Sequence, residues 1–378
     1  MEAVFNNNKQ IKSARNSAFE ILRIIAIILI IAHHFGYYGG FDFSGFENTS
    51  LILINKTWID LLMQIARVGV NLFVLISAFF LAENNKFKIK KIIYLIFEIL
   101  FFSITLGIVF LIINGKEFNF TTFKSIFFPL GSDVWWFMTS YLLLYVFSPF
   151  LNLGIRAMNK KMHLFLIILF MLIWSFLPTF LTLNYAFSIF GWFLTLYLTA
   201  SYIKIYDVNI KVKPYLGIII SIGIFLLWFF FRFLLINYYQ GDNHFVNDIL
   251  KRWVDLRSDN SFVQVAATIV MFLSFKKMKV RNIKAINIIA STTLAIYLVH
   301  EQADMRNLLW VNIFKNASYA SSPYLIPYTI GVTLAVFACG VLIGLAHQYS
   351  IGLLSNKFLS FLDEKYLYKI DKIFNNNP

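Results

Sequence analysis

The sequence predicts an all-α protein, a polytopic membrane helix bundle of about ten transmembrane helices with both termini in the cytoplasm. Of the 378 residues, 59% are hydrophobic and 14% are charged, whereas about 25% of the residues in a soluble domain are charged. Apolar runs of this length cross a bilayer as helices, and no segment has the alternation of a barrel strand. An uneven distribution of lysine and arginine between alternate loops is the third observation.

Ten apolar segments form the predicted spans, of which the eighth and ninth are the shortest or most polar. The chain divides into a cytoplasmic N-terminal segment (1–18), a transmembrane domain (19–348) and a cytoplasmic C-terminal tail (349–378). The predicted spans are roughly 19–38, 58–82, 89–113, 135–156, 163–182, 186–205, 215–237, 261–275, 285–301 and 325–347.

The positive charges fix the predicted orientation. The N-terminal segment, the tail and the loops on the same side carry 22 lysines and arginines, and the loops on the other side carry 8. Because the richer side faces the cytoplasm, we expect a multi-pass protein of the cell membrane. The net charge of +14 is therefore a topology signal, and lipid rather than nucleic acid is the expected partner. The single cysteine, Cys339, excludes a cysteine-based metal site, and no metal is expected.

Arg23 and His34 are the most informative pair of residues, because both lie in the first apolar run. His34 follows Arg23 by eleven positions. At about 100° per residue the two side chains share one helix face, and at about 1.5 Å per residue they lie roughly 16 Å apart along the axis. A cation near the inner end and an imidazole near the outer end suit a reaction that crosses the bilayer. His33 points about 100° away, so at most one of the two histidines is expected to face a given pocket.

Three arginines lie inside the predicted spans, and a cation at this depth needs a partner or a function. Arg23 either forms a structural ion pair with Glu20, three residues earlier, or binds an anion. Arg67 either bridges to another helix or contacts a substrate, together with Asp60 on the same face. Arg232, near the outer end of the seventh span, either extends to the interface or has a function.

A second histidine, His300, ends the ninth span at a depth similar to that of His34. Glu301 follows it directly, and Asp304 lies four positions after it. A histidine beside a carboxylate is the minimum arrangement for general-base activation of a hydroxyl, and either carboxylate is placed to orient one of the histidines. A buried histidine that only forms structural hydrogen bonds is the alternative interpretation.

Four motifs resemble those of the acyltransferase-3 family of membrane O-acyltransferases. FEILRIIAIILIIAHH carries that family's arginine, ten residues and histidine, as Arg23 and His34. RVGVNLFVLISAFFLA, from Arg67, resembles the second-span pattern, although Leu72 and Ala78 stand where the family usually has Phe and Gly. WWFMTSYLLLYVFSPFL and AIYLVH are the third and fourth motifs. The matches occur in order over roughly residues 20–300.

The resemblance implies transfer of an acyl group, usually acetyl, from cytoplasmic acyl-CoA to a hydroxyl of an extracytoplasmic or lipid-linked saccharide. Acetyl-CoA is then the donor substrate, and O-acetylation of a cell-envelope polysaccharide or glycolipid is the expected activity. Arg23, with the loop residues Lys276, Lys277 and Arg281, is expected to bind the phosphates of CoA, although this loop lacks the paired arginines common in the family. His34 is the expected general base on the sugar hydroxyl, and a transient acyl carrier is the alternative role for this residue.

The acceptor is expected at the outer mouth of the bundle, where Arg67, Asp60 and Trp136 are candidate contacts. The aromatic residues of the outer loops either stack on sugar rings or form an interfacial belt. These residues are Tyr37, Tyr38, Phe41, Phe43, Phe46, Tyr238, Tyr239, Trp253 and Trp310. A transporter or flippase for a lipid-linked saccharide is the alternative function, but the two related halves that many transporters have are not recognisable.

Overall fold

The computed structural model describes residues 17–375 apart from 48, 83–87, 116, 133, 181–187, 239–243 and 245–257. These residues form helices and connecting loops, and they contain no strand. The helices are α1 (Ser17–Tyr37), α2 (Ser50–Leu81), α3 (Ile89–Ile113), α4 (Phe120–Phe127), α5 (Trp136–Ala157), α6 (Lys160–Phe180), α7 (Ile189–Ile205), α8 (Pro214–Tyr238), α9 (Phe262–Lys277), α10 (Lys284–Ser291), α11 (Thr293–His300), α12 (Ala303–Asn307), α13 (Leu325–Tyr349), α14 (Ile351–Leu362) and α15 (Tyr368–Asn375).

The all-helical membrane fold predicted from the sequence is confirmed. In the described part of the chain, seven helices are long and apolar enough to cross a bilayer: α1, α2, α3, α5, α6, α8 and α13. At the other three predicted positions lie α7 with 17 residues, α9 with 16 residues and the pair formed by α10 and α11. The figure of about ten spans and the cytoplasmic termini therefore stay predictions.

Helix α1 lies at the centre of the bundle. It packs along α2 and also contacts α9, α10, α11 and α13. Its close approach to α2 depends on Gly69, because a Cβ atom there would lie 2.6 Å from the Ala26 carbonyl oxygen. Small residues allow membrane helices to approach closely enough for dispersion contacts to hold them together. This packing fixes the position of the α1 face that carries Arg23 and His34.

A bend separates α10 from α11 at Thr292. Three consecutive hydroxyl groups donate to carbonyl oxygens three residues earlier: Ser291 to Ile288 at 2.6 Å, Thr292 to Ile289 at 2.7 Å and Thr293 to Ala290 at 2.9 Å. Side-chain bonds of this kind compete with the helical hydrogen bonds and bend helices. The predicted ninth span is therefore two short helices, and the second of them carries His300 towards α1.

The segment after α11 covers the end of α1. The amide of Asn316 donates to the Phe35 carbonyl oxygen at 3.0 Å. The amide of Asn55, on α2, donates to the carbonyl oxygens of Ala320 at 3.0 Å and Ser322 at 2.9 Å. These bonds hold residues 301–322 over the C-terminal end of α1, next to His34.

The C-terminal tail is helical and is attached to α3. The Lys90 ammonium donates to the Ser360 hydroxyl at 2.9 Å, and the Ile89 amide donates to the Asp371 carboxylate at 2.9 Å. An acidic side chain at a helix N-terminus satisfies an amide that has no partner within the helix. Helices α14 and α15 are thereby fixed at the end of α3 that the charge pattern predicts to be cytoplasmic.

Candidate active site

One large cavity lies inside the bundle, and its volume is about 1310 Å³. It is lined by residues of α1, α2, α3, α5, α6, α7, α10 and α11 and of the loop before α9. Along α1 the lining residues begin at Arg23 and end at Tyr37, and Tyr38 follows just past the helix end. At about 1.5 Å per residue this stretch is roughly 22 Å long. The cavity therefore extends through most of the thickness of the bundle.

The structure brings Arg23 and His34 to this cavity, as their spacing predicts. Ile27 and Ile30 line the cavity between them. The expectation that only one of the two adjacent histidines faces a pocket is wrong, because His33 lines the same cavity. The cavity is wide enough to contact two faces of α1. The ring of His33 stacks on Tyr37 with 5.3 Å between centroids.

His34, His300 and Glu301 form a buried cluster. The Nδ1 atom of His34 lies 3.0 Å from Nε2 of His300 and 3.0 Å from Oε2 of Glu301. The three residues are 8%, 1% and 2% exposed. The contact between His34 and His300 has the geometry of a hydrogen bond. The contact between His34 and Oε2 of Glu301 is a close charge contact that lacks this geometry. His34 thus contacts a second histidine and a carboxylate through one nitrogen.

The tautomers of the two histidines follow from a backbone contact. Nδ1 of His300 lies 2.5 Å from the Ile296 carbonyl oxygen, which only accepts, so this nitrogen carries a proton. In a neutral ring Nε2 of His300 is then an acceptor, and Nδ1 of His34 must donate to it. Neutral His34 accordingly has its lone pair on Nε2. The chain of contacts leaves His34 in the tautomer that a general base requires.

Two further groups hold Glu301. Its Oε1 atom accepts from Nη2 of Arg306 at 2.7 Å and from the Tyr38 hydroxyl at 3.2 Å. The Arg306 guanidinium also lies over the Tyr38 ring, 4.5 Å from its centroid. Burying a carboxylate is costly unless it is paired and hydrogen-bonded, and these contacts supply both. Of the two carboxylates that the sequence offered, Glu301 and not Asp304 reaches a histidine.

Arg23 forms the ion pair that its spacing from Glu20 predicts. Nη1 of Arg23 lies 3.1 Å and 2.9 Å from the two carboxylate oxygens of Glu20. Both contacts use Nη1, and a guanidinium has five N–H donors. Because Arg23 also lines the cavity, the ion pair and an anion contact are compatible.

Arg67 is neutralised by a residue that the sequence did not indicate. Its Nη1 atom lies 3.1 Å and 3.2 Å from the carboxylate oxygens of Asp259, and both residues line the cavity. Asn71 donates to the Asp259 carbonyl oxygen at 2.7 Å and accepts from Nε1 of Trp192 at 3.0 Å. Arg67 is therefore both a bridge between segments and a residue of the cavity wall.

Asp60 is not part of this cavity. It forms an ion pair with Arg232 of α8, so the predicted role of Asp60 beside Arg67 has no support from its position. The ion pair with Asp60 also compensates the charge of Arg232, so this side chain does not need to extend to the membrane interface. Trp136, the third predicted acceptor contact, lines the cavity.

The loop cations predicted to bind CoA do not line the cavity. The Lys276 ammonium contacts the Asp207 carboxylate at 2.7 Å, the Asn209 side chain and a backbone carbonyl oxygen. The hydrogen bond from Lys276 to Asp207 holds the pKa of the exposed Asp207 carboxyl below its usual range. The Lys277 ammonium contacts backbone carbonyl oxygens of the same loop. Arg281 is exposed on the loop before α10. The two lysines thus hold the loop between α7 and α8.

The aromatic residues of the loops predicted to lie outside have different positions in the structure. Tyr37 and Tyr38 line the cavity. Trp310 is 0% exposed and packs in the core, so it is not available to stack on a sugar ring. Tyr239 and Trp253 lie outside the described residues.

Sequence reasoning missed Arg306, Tyr38 as a partner of Glu301, and Asp259. The pairing of Arg306 with Glu301 could have been predicted from the sequence, because Arg306 follows Glu301 by five positions in a polar segment. Asp259 carried no such signal, since it is 192 positions from Arg67.

These features define a polytopic membrane protein with a buried histidine–carboxylate site in a deep cavity. The sequence model for the acyltransferase domain of the acyltransferase-3 family matches residues 16–345, nearly the whole chain. The chain therefore belongs to the acyltransferase-3 family and is a membrane acyltransferase. Comparisons with curated proteins and with solved structures find no match.

Proposed function

We propose that the protein transfers an acyl group, the two-carbon acetyl group, from cytoplasmic acyl-CoA to a hydroxyl of an extracytoplasmic or lipid-linked saccharide. One observation carries this proposal: a single cavity contains Arg23 at one end and the His34–Glu301 pair near the other. A donor that enters from the cytoplasm and an acceptor that enters from outside have a common place to react there. The products are CoA and an O-acylated saccharide.

In the proposed mechanism, Nε2 of His34 takes the proton of the acceptor hydroxyl while its oxygen attacks the thioester carbonyl carbon. The tetrahedral intermediate collapses, the carbon–sulfur bond breaks, and the departing sulfur takes the proton from the imidazolium. Glu301, 3.0 Å from Nδ1, stabilises the positive charge that forms on the ring between these steps. His300 holds the ring in the required tautomer through Nδ1.

The donor end of the cavity is proposed at Arg23. The N–H donors that Glu20 does not use suit the oxygen atoms of a phosphate group. Lys276 and Lys277 are engaged with loop oxygens, so among the predicted cations Arg23 and the exposed Arg281 are the better candidates for the CoA phosphates.

The acceptor end is proposed between His34 and the Arg67–Asp259 pair. Because this pair is internally neutralised, it offers donors and acceptors without a net charge. Such a wall suits a hydroxyl-rich, uncharged sugar better than an anionic one. Tyr37 and Trp136 supply aromatic surface beside it.

The proposal is tested with His34→Ala in membranes that contain equal amounts of each variant. The assay is incorporation of labelled acetyl groups from acetyl-CoA into lipid-linked and polymeric saccharide. Loss of a placed general base lowers the rate by about 10²–10⁴-fold. His163→Ala is the matched control, because His163 is also buried but bonds to the Leu198 carbonyl oxygen away from the cavity.

His33→Ala is expected to cost less than His34→Ala, because the cluster with Glu301 is formed by His34. If His34→Ala keeps wild-type activity while His300→Ala is inactive, the base is on α11. If both variants are active, the base assignment fails and the transporter alternative gains support.

A further inference from the structure

The cluster of His34, His300 and Glu301 has the composition of a metal site. One ligand atom from each residue lies within 4.8 Å of the other two, and all three residues are buried. Two histidine nitrogens and a carboxylate oxygen are a ligand set that zinc proteins use. The sequence places His34 and His300 at similar depth, but they are 266 positions apart, and only the structure brings their ring nitrogens within 3.0 Å of each other.

The proton count of the cluster leaves one atom unsatisfied. His300 directs a lone pair from Nε2 into the cluster, since its Nδ1 proton is bonded to the Ile296 carbonyl oxygen. The single proton on Nδ1 of His34 is aligned with that lone pair. Oε2 of Glu301 is buried, lies 3.0 Å from the same nitrogen and has no aligned hydrogen-bond donor among the described residues. A buried carboxylate oxygen in this state is poised for a cation.

We propose that this cluster binds one Zn²⁺ ion through Nδ1 of His34, Nε2 of His300 and Oε2 of Glu301. Zinc bonds to nitrogen and oxygen are about 2.0–2.2 Å long, which places tetrahedral ligand atoms roughly 3.3 Å apart. On binding, the two distances of 3.0 Å open by a few tenths of an ångström, and all three ligand atoms already lie within 4.8 Å of one another. The fourth position is left for a ligand from the cavity, which His34 and Glu301 both line.

The neighbouring groups favour this arrangement. Metal-bound histidines usually donate their other N–H to a backbone carbonyl or a carboxylate, and His300 already does so to Ile296. The second oxygen of Glu301 is held by Arg306 and Tyr38, which fixes the direction of Oε2.

Zinc at this site would inhibit acyl transfer, a consequence that rests on the proposed function. Coordination uses the lone pair of Nδ1, so the ring proton of His34 moves to Nε2. That nitrogen then has no lone pair with which to accept the hydroxyl proton. The ion and the base reaction compete for the same imidazole.

Binding is tested on the purified, metal-stripped full chain in detergent, with ZnCl₂ in calorimetry and CoCl₂ in absorption spectroscopy. We expect one ion per chain and the visible bands of tetrahedral Co²⁺. His300→Asn and Glu301→Gln should each weaken binding by at least about 10-fold, since even outer contacts of metal ligands are worth about 10–100-fold. His244→Ala removes an exposed histidine and is expected to leave binding unchanged.

Two outcomes would overturn the site: no stoichiometric binding by the wild-type chain, or wild-type affinity and spectrum in both cluster variants. Elution of each variant as a single species shows that it is folded. Glu98→Gln, which alters a partly buried carboxylate near a histidine, is the matched control for Glu301→Gln. If zinc binds with the expected residue dependence but does not slow acyl transfer, the site stands and His34 is not the base.

Discussion

Replacing Glu301 with glutamine tests the electrostatic part of the mechanism most directly. The substitution keeps the size of the side chain and its capacity to accept from Arg306 and Tyr38, but it removes the negative charge 3.0 Å from Nδ1 of His34. The substitution removes little stabilisation from the neutral form of the His34 ring, because a neutral ring has no charge for the carboxylate to attract. The imidazolium that forms during the reaction loses its counter-charge, so the effect is concentrated in the transition state.

The magnitude follows from the distance. Two unit charges 3.0 Å apart interact by about 5.5 kcal/mol at an effective dielectric constant of about 20. An effective dielectric constant of about 40, between that value and the one for water, gives about 2.8 kcal/mol and sets the lower limit. The Arg306 cation, 2.7 Å from Glu301, becomes unneutralised in the variant and adds repulsion, so we take about 3 kcal/mol as the minimum. At about 1.36 kcal/mol per decade, the expected loss of kcat is about 10²–10⁴-fold.

The assay is steady-state acyl transfer with acetyl-CoA as the varied substrate. We expect kcat to fall and the donor KM to change little, because Glu301 lies far from Arg23 at the other end of the cavity. Glu98→Gln should keep kcat within about threefold of the wild type, since Glu98 and His347 form a pair outside the cavity. A Glu301→Gln enzyme that retains more than about a tenth of wild-type kcat would refute the charge argument.

Three further predictions concern orientation, donor binding and stability. A single cysteine at Ser44, in a Cys339→Ser background, should react with an impermeant maleimide from outside the cell, and labelling only after permeabilisation would reverse the topology. Arg23→Ala should raise the KM for acyl-CoA more than it lowers kcat, with partial recovery in Arg23→Lys; an unchanged KM together with poor folding would limit Arg23 to a structural role. Arg67→Ala should lower the stability by about 1–3 kcal/mol, measured as a lower Tm, because it leaves the partly buried Asp259 carboxylate without its counter-charge; an unchanged Tm would contradict this account.

The features that could be predicted from the sequence are those that the geometry of a single helix determines. The alignment of Arg23 with His34 needs only the helical rotation and rise, and both residues line one cavity. The Glu20–Arg23 pair follows from the same geometry. The apolar run lengths predict the helical class for a similar reason, since the backbone of an apolar segment in a bilayer must satisfy its own hydrogen bonds.

Contacts between helices were harder to predict because they depend on how the bundle packs. The partner of Arg67 lies on a loop 192 positions away, and no periodicity relates the two residues. His33 was expected to face elsewhere because the helical wheel gives directions but not the width of a cavity. Lys276 and Lys277, the last two residues of α9, look like phosphate ligands in sequence, yet they bind carbonyl oxygens of a neighbouring loop.

The network around Glu301 also separates the requirements of folding from those of catalysis. A carboxylate buried to this degree is stable only if its charge is compensated, and Arg306 provides that compensation at Oε1 independently of His34. The contact with His34 uses the other oxygen, Oε2. His34 therefore does not have to be charged to keep Glu301 in place, and its ring can gain and lose a proton without exposing an uncompensated carboxylate. An arginine for structure and a histidine for chemistry, on opposite oxygens of one carboxylate, let the same buried charge serve both purposes.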